Sequence, residues 1–83
     1  MNYCELITSP YYGVVEEICI QQGSLISEGG SLFYIRIQDD TIASISIGIN
    51  GRVQSIEVSK GEDVIPGMVL ACVETEFFSA ERD

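Results

Sequence analysis

The chain contains a near-copy of itself, and that constrains the fold more than any other feature. Residues 38 positions apart match along most of its length: Gly13 with Gly51, Val15 with Val53, Ile18 with Ile56, Gly23 with Gly61, Gly29 with Gly67 and Leu32 with Leu70. Ile20/Val58, Ile26/Val64 and Ile35/Val73 are conservative matches in the same frame. Glycines and apolar residues staying in step over the whole alignment point to a duplication. A repeat this short cannot bury its own apolar face, so the halves must pack on each other as a pseudo-twofold pair.

Each half reads as β-structure. β-Branched residues dominate, and apolar residues alternate with polar ones over short runs bounded by glycine. The alternation slips once per half. Val15 and Ile18 are an odd number apart, as are Val53 and Ile56, whereas Ile18/Ile20 and Ile56/Val58 keep period two. A one-residue slip moves the apolar set to the other face unless a bulge or bend absorbs it. The same slip in both halves predicts a built-in bend, as needed where a sheet folds over to close a small barrel or sandwich. Gly23 and Gly61, followed by Gly29 and Gly67, mark turns where positive φ is easiest for glycine. No stretch has sustained helical periodicity. A single domain over residues 1–76 is expected, followed by an acidic tail, 77–83, for which a frayed turn is the most regular structure expected.

Composition narrows the function. The formal charge is −9, from 13 acidic and 4 basic residues. A phosphate backbone or an anionic lipid surface would be repelled, which argues against nucleic-acid and membrane partners. Solubility is the plainer meaning of that charge, and a docking face for a basic partner the sharper one. A hydrophobic share of 46% separates the chain from disordered polar sequences. The N-terminus has neither the basic nor the apolar region of a signal peptide, and no apolar run is long enough to span a bilayer. Cys4, Cys19 and Cys72 are an odd set without a CxxC, and histidine is absent. A disulfide framework and a zinc site are therefore disfavoured, and three small strand residues in a reducing cytoplasm are expected.

The spacing Pro10-x-x-Gly13, Val15-x-x-Ile18-x-Ile20-x-x-Gly23, Ile26-x-x-Gly29 and Leu32 resembles the first half of a biotinyl/lipoyl attachment domain, as in the biotin carboxyl carrier family. The second half repeats the pattern from Gly51 through Val53, Ile56, Val58, Gly61, Val64 and Gly67 to Leu70. The resemblance spans about Ile7 to Glu74. It implies an all-β barrel-sandwich hybrid: a flattened barrel of two four-stranded antiparallel sheets, with the modification hairpin at one end and both termini at the other.

The family carries its acceptor lysine at the tip of that hairpin. Here the tip reads Gln38-Asp39-Asp40-Thr41. Counting forward from Leu32 puts the acceptor position at Asp39, and counting back from Gly51 puts it at Asp40. Biotin and lipoate are attached as amides, which requires a primary amine on a long mobile stem. A carboxylate cannot be acylated in that way. The chain's one lysine, Lys60, pairs with Gln22 in the repeat and belongs to a turn of the second half. The methionines that flank the lysine in biotinyl domains are missing too, since Met68 lies elsewhere. No bound cofactor, metal or catalytic residue is expected.

Other candidate sites carry less. Asp39-Asp40 as paired carboxylates suits a hard cation, but adjacent aspartates are common turn formers, and the turn reading is preferred. Tyr11-Tyr12 is either a docking platform or, more often for such a pair, one ring in the core and one partly exposed. Phe77-Phe78 either folds back over the open end of the sandwich or anchors a partner. Arg36 and Arg52 read as strand-surface residues balancing nearby acids. Without histidine, an activated serine constellation or a phosphate-cradling loop, an enzyme is not expected. Two functions fit. One is a carrier-like interaction module that has lost its lysine and associates with a carboxylase or acyltransferase complex. The other is a structural adaptor reusing the same fold in a transport or other multiprotein assembly.

Overall fold

Eight strands follow one another in a computed structural model that describes residues 2–76: β1 (Asn2–Thr8), β2 (Gly13–Ile18), β3 (Leu25–Ile26), β4 (Ser31–Arg36), β5 (Ile42–Ser46), β6 (Gly51–Ile56), β7 (Asp63–Val64) and β8 (Val69–Glu76). A single 3-10 turn, Gln38–Asp40, joins β4 to β5. Phe77, Phe78 and the rest of the tail lie outside the described residues. The strands form two four-stranded antiparallel sheets, ordered β1-β8-β6-β3 and β5-β4-β2-β7. The fold is the expected all-β barrel-sandwich hybrid.

The duplication is visible in every pairing. Adding 38 to the residue numbers converts the β5-β4-β2-β7 sheet into the order β1-β8-β6-β3, with β5 mapping back onto β1 and β7 onto β3. Turn hydrogen bonds repeat in the same way. The Val15 N–H donates to the Glu62 carbonyl at 2.9 Å, and the Val53 N–H to the Ser24 carbonyl at 2.8 Å. The Gly61 N–H donates to Val15 O at 2.8 Å, and the Gly23 N–H to Val53 O, also at 2.8 Å. Each half therefore closes its turns on the other half. This is why neither half is a separate unit.

The slip in alternation is a bulge, as the sequence predicts. Val15 pairs with Ile35 but Glu17 with Tyr34, leaving Glu16 extra. Val53 pairs with Val73 but Ser55 with Cys72, leaving Gln54 extra. A second pair of bulges went unpredicted. They fall between Ser31 and Phe33 and, on the equivalent strand, opposite the Ile7/Thr8 step, where Ile7 pairs with Ala71 and Thr8 with Val69. They allow Leu32 and Phe33, and likewise Leu70 and Ala71, to be buried in succession, which a regular strand forbids.

The core lies between the sheets. Val15, Leu32, Phe33, Ile35, Val53, Val64, Leu70, Ala71 and Val73 are at most 2% exposed. Repeat mates in the core share burial, including Ile7 with Ile45 and Ile20 with Val58. Gly13 and Gly51 open the equivalent strands β2 and β6. A Cβ on either would lie 2.5 Å from the Arg36 carbonyl oxygen or 2.7 Å from that of Glu74, so backbones meet where only glycine fits. The four turn glycines have φ of 85–90°, in the range the sequence predicts for them.

Candidate functional site: the central hairpin

The hairpin begins where β4 and β5 run together. Arg36 faces Ile42 and Ile35 faces Ala43. The Ile37 N–H then donates to the Thr41 carbonyl at 2.8 Å, and the Thr41 N–H closes the turn on Gln38 O at 3.2 Å. Asp39 and Asp40 are the two central residues, both left-handed, with φ of 59° and 62°. Positive φ at both centres is the pattern of a type I′ turn, whose twist matches that of the flanking strands. Aspartate tolerates the left-handed region better than most residues, which is how an Asp-Asp pair holds a turn usually given to Asn-Gly. The repeat frame relates Gln38 to Glu76 and Asp40 to Asn2. The hairpin tip thus corresponds to the place where the first strand begins and the last ends.

Gln38, Asp39, Asp40 and Thr41 are all exposed. Among the described residues no group of three or more histidine, cysteine or acidic side chains is arranged to hold a metal ion. Lys60 sits at a different turn, between Ser59 and Glu62, where the Glu62 N–H donates to Ser59 O at 3.0 Å. Its Nζ lies 3.5 Å from Glu17 Oε1 on β2. The one lysine side chain therefore belongs to the junction of the halves and not to the hairpin tip.

The tyrosine pair divides as the commoner expectation has it. Tyr11 packs against the core, held by the buried Ser9 hydroxyl, which donates to Tyr11 O at 2.8 Å and accepts from the Tyr11 N–H at 3.0 Å. Tyr12 is 74% exposed. Together with Pro10, Ile37 and Gln38 the two rings line a shallow depression beside the turn. Sequence spacing gave no hint of that neighbourhood, because β2 and the β4–β5 turn meet only through sheet pairing. Arg36 and Arg52 are exposed strand residues, as expected. The Arg36 guanidinium pairs with Glu16, its Nε donating to Oε1 at 2.8 Å, and Glu16 raises the Arg36 pKa further. Arg52 donates to the Gly23 carbonyl at 3.3 Å.

The cysteines depart from expectation. Cys4 on β1 and Cys72 on β8 form a cross-strand disulfide, with Cα atoms 5.9 Å apart, within bridging range. Spacing could not reveal this pair: its partners are 68 residues apart in sequence and meet only through the β1–β8 register. Cys19 remains a free thiol. Burial, and then the nearby Glu17 charge, push its pKa up, which disfavours the reactive thiolate. No helix among the described residues is long and apolar enough to cross a membrane.

No protein-family model matches the chain, and no curated protein matches it. Solved structures do. A urea carboxylase from Kluyveromyces lactis superposes with a TM-score of 0.78 at 22% identity, over 86% of this chain and 6% of that one. A single-chain, multi-domain long-chain acyl-CoA carboxylase superposes with a TM-score of 0.81 at 16% identity, over 95% of this chain and 8% of that one. The chain thus has the size of one small segment of either enzyme. At these identities the likeness establishes the fold alone: the barrel-sandwich hybrid, which both carboxylase chains contain as a small segment.

Proposed function

We propose that this protein is a non-enzymatic, biotinyl/lipoyl carrier-like domain without a modifiable lysine, acting through contacts with a protein partner such as a carboxylase or acyltransferase subunit. The observation that carries the reading is the turn itself. Both of its central positions are aspartates, on a scaffold that superposes on segments of two carboxylases. An exposed carboxylate pair gives an attaching enzyme no amine to acylate. It leaves the backbone of the hairpin intact, so docking surfaces can persist after the prosthetic arm is gone. The exposed Tyr12 beside the turn supplies the kind of aromatic anchor on which protein interfaces depend.

Intact-mass measurement of the protein isolated from its native host tests the loss of the arm. The mass of the unmodified chain is expected, and an increment matching a biotinyl or lipoyl group refutes the reading. Co-purification tests the partner. Recovery with a carboxylase or acyltransferase subunit supports the association. Recovery with a transport assembly supports instead an adaptor that reuses the fold.

A further inference from the structure

A sheet edge is a row of unpaired backbone donors and acceptors, and proteins generally blunt such edges with short strands, charge or proline. Three of the four edges here are blunted. Strands β3 and β7 are two residues long. Strand β1 carries the charge of Glu5. Strand β5 has none of these devices. It lies in the segment 41–50, Thr-Ile-Ala-Ser-Ile-Ser-Ile-Gly-Ile-Asn, which contains no charged residue and no proline.

The register fixes which backbone groups β5 offers. The hydrogen bond from Ile37 to Thr41 makes 37/41 a bonded pair, so Ala43 and Ile45 also bond toward β4. Ile42, Ser44 and Ser46 then direct their N–H and C=O groups away from the sheet. Beside this edge is an open groove lined by Leu6, Ile7 and Thr8 from β1, by Pro10 and Tyr11 after it, and by Ser44, Ile45 and Ser46 from β5. The strand residues are repeat mates, 38 apart, so the pseudo-twofold axis passes between these two walls. Side chains along β5 alternate, with Ile42, Ser44 and Ser46 exposed, Ala43 half-buried and Ile45 buried, and Ile47 just past the strand is buried too.

Charge identifies the occupant. Asp39 and Asp40 stand at the start of β5. Glu28 stands at its far end, where its N–H donates to Asn50 Oδ1 at 2.9 Å. None of these three acids forms an ion pair among the described residues, where the pairs are Arg36–Glu16 and Lys60–Glu17, although the Arg36 guanidinium acts on Asp40 at longer range. Antiparallel pairing of two β5 edges would set Asp39 and Asp40 of one copy against Glu28 of the other, with a formal charge of −9 on each chain. A second copy is therefore opposed.

We infer that the β5 edge accepts, as an added strand, an extended partner segment with lysine or arginine at both ends and an uncharged, β-branched centre. Backbone bonds from Ile42, Ser44 and Ser46 supply the affinity, and the acids at the two ends select the partner and set its register. Asp39 and Asp40 also occupy the acceptor position, but strand addition is read at the β5 amides and prosthetic-group attachment by intact mass, so failure of one reading is distinguishable from failure of the other.

The test uses the full chain, isotopically labelled for NMR, and a synthetic peptide of alternating threonine and valine with two lysines at each end. Saturable amide shifts at Ile42, Ser44 and Ser46, with about tenfold slower hydrogen exchange there, are expected. A glutamate-flanked peptide of the same centre is expected to bind at least about tenfold more weakly. Ile42→Lys keeps the exposed position and the fold but opposes the basic peptide, and is expected to weaken it to a similar degree. Ser44→Pro removes one outward donor and is a second check. Overturning results are no localised shift at millimolar peptide in folded protein, shifts confined to another edge, or β5 amides that become protected on raising protein concentration without peptide, which would mean that copies pair with each other.

Discussion

Val15, Leu32 and Ile35 in the first half occupy places equivalent to Val53, Leu70 and Val73 in the second, and all six are at most 1% exposed. Their solvent-facing neighbours have diverged. The bulged residue is Glu16 in one half and Gln54 in the other. Gln22 answers to Lys60, and Arg36 to Glu74. Interior positions are held by mutual packing, where a change of one methylene is felt, while exposed ones are nearly free to vary. The hairpin tip belongs to the second class. Asp39 and Asp40 there are exposed, so their identity can change without touching the core.

The sharpest way to break this comparison is at its largest internal mismatch. Phe33 and Ala71 are repeat mates, both fully buried. Phe33→Ala makes the halves alike in sequence but leaves a ring-sized void, at a cost of about 3–5 kcal/mol. That is most of the stability of a domain this size, and urea unfolding will show it as a collapse of the midpoint. The Cys4–Cys72 bridge comes next, because the first half has no equivalent. Cys4→Ser, or added reductant, is expected to lower stability by about 2–4 kcal/mol, whereas Cys19→Ser leaves the reductant effect unchanged.

The halves should respond alike where their backbones meet. Gly13→Ala and Gly51→Ala each force a Cβ toward a carbonyl oxygen, and each is expected to cost about 1–3 kcal/mol. Clearly unequal values in thermal melts would mean that the two strand crossings are not equivalent. The smallest effect is expected on the surface. Arg36→Ala breaks an exposed, solvent-screened pair with Glu16 that the second half lacks, and the thermal midpoint is expected to stay where it is.

Much of this fold was legible because its determinants are periodic. Glycine spacing located the turns, and the shared slip at Val15/Ile18 and Val53/Ile56 located a bulge in each half. The second bulges were written as adjacent apolar pairs, Leu32-Phe33 and Leu70-Ala71. Such pairs read equally well as ordinary strand until cross-strand register is known. Register also hid the Cys4–Cys72 bridge and the approach of Tyr12 to Ile37 and Gln38, since both join segments distant in sequence. The position of the hairpin was legible from either half, and the structure places the two counts, Asp39 and Asp40, together at the centre of one turn. Their left-handed conformation was not legible, because aspartate is compatible with many turn types.

The most direct measurement is reconstitution with a biotin ligase and, separately, a lipoate ligase, followed by intact-mass analysis beside a carrier domain known to be modified. The control should gain the prosthetic group while this protein keeps its unmodified mass. A biotinyl or lipoyl increment on the wild-type chain, at the hairpin or on Lys60, would contradict the account.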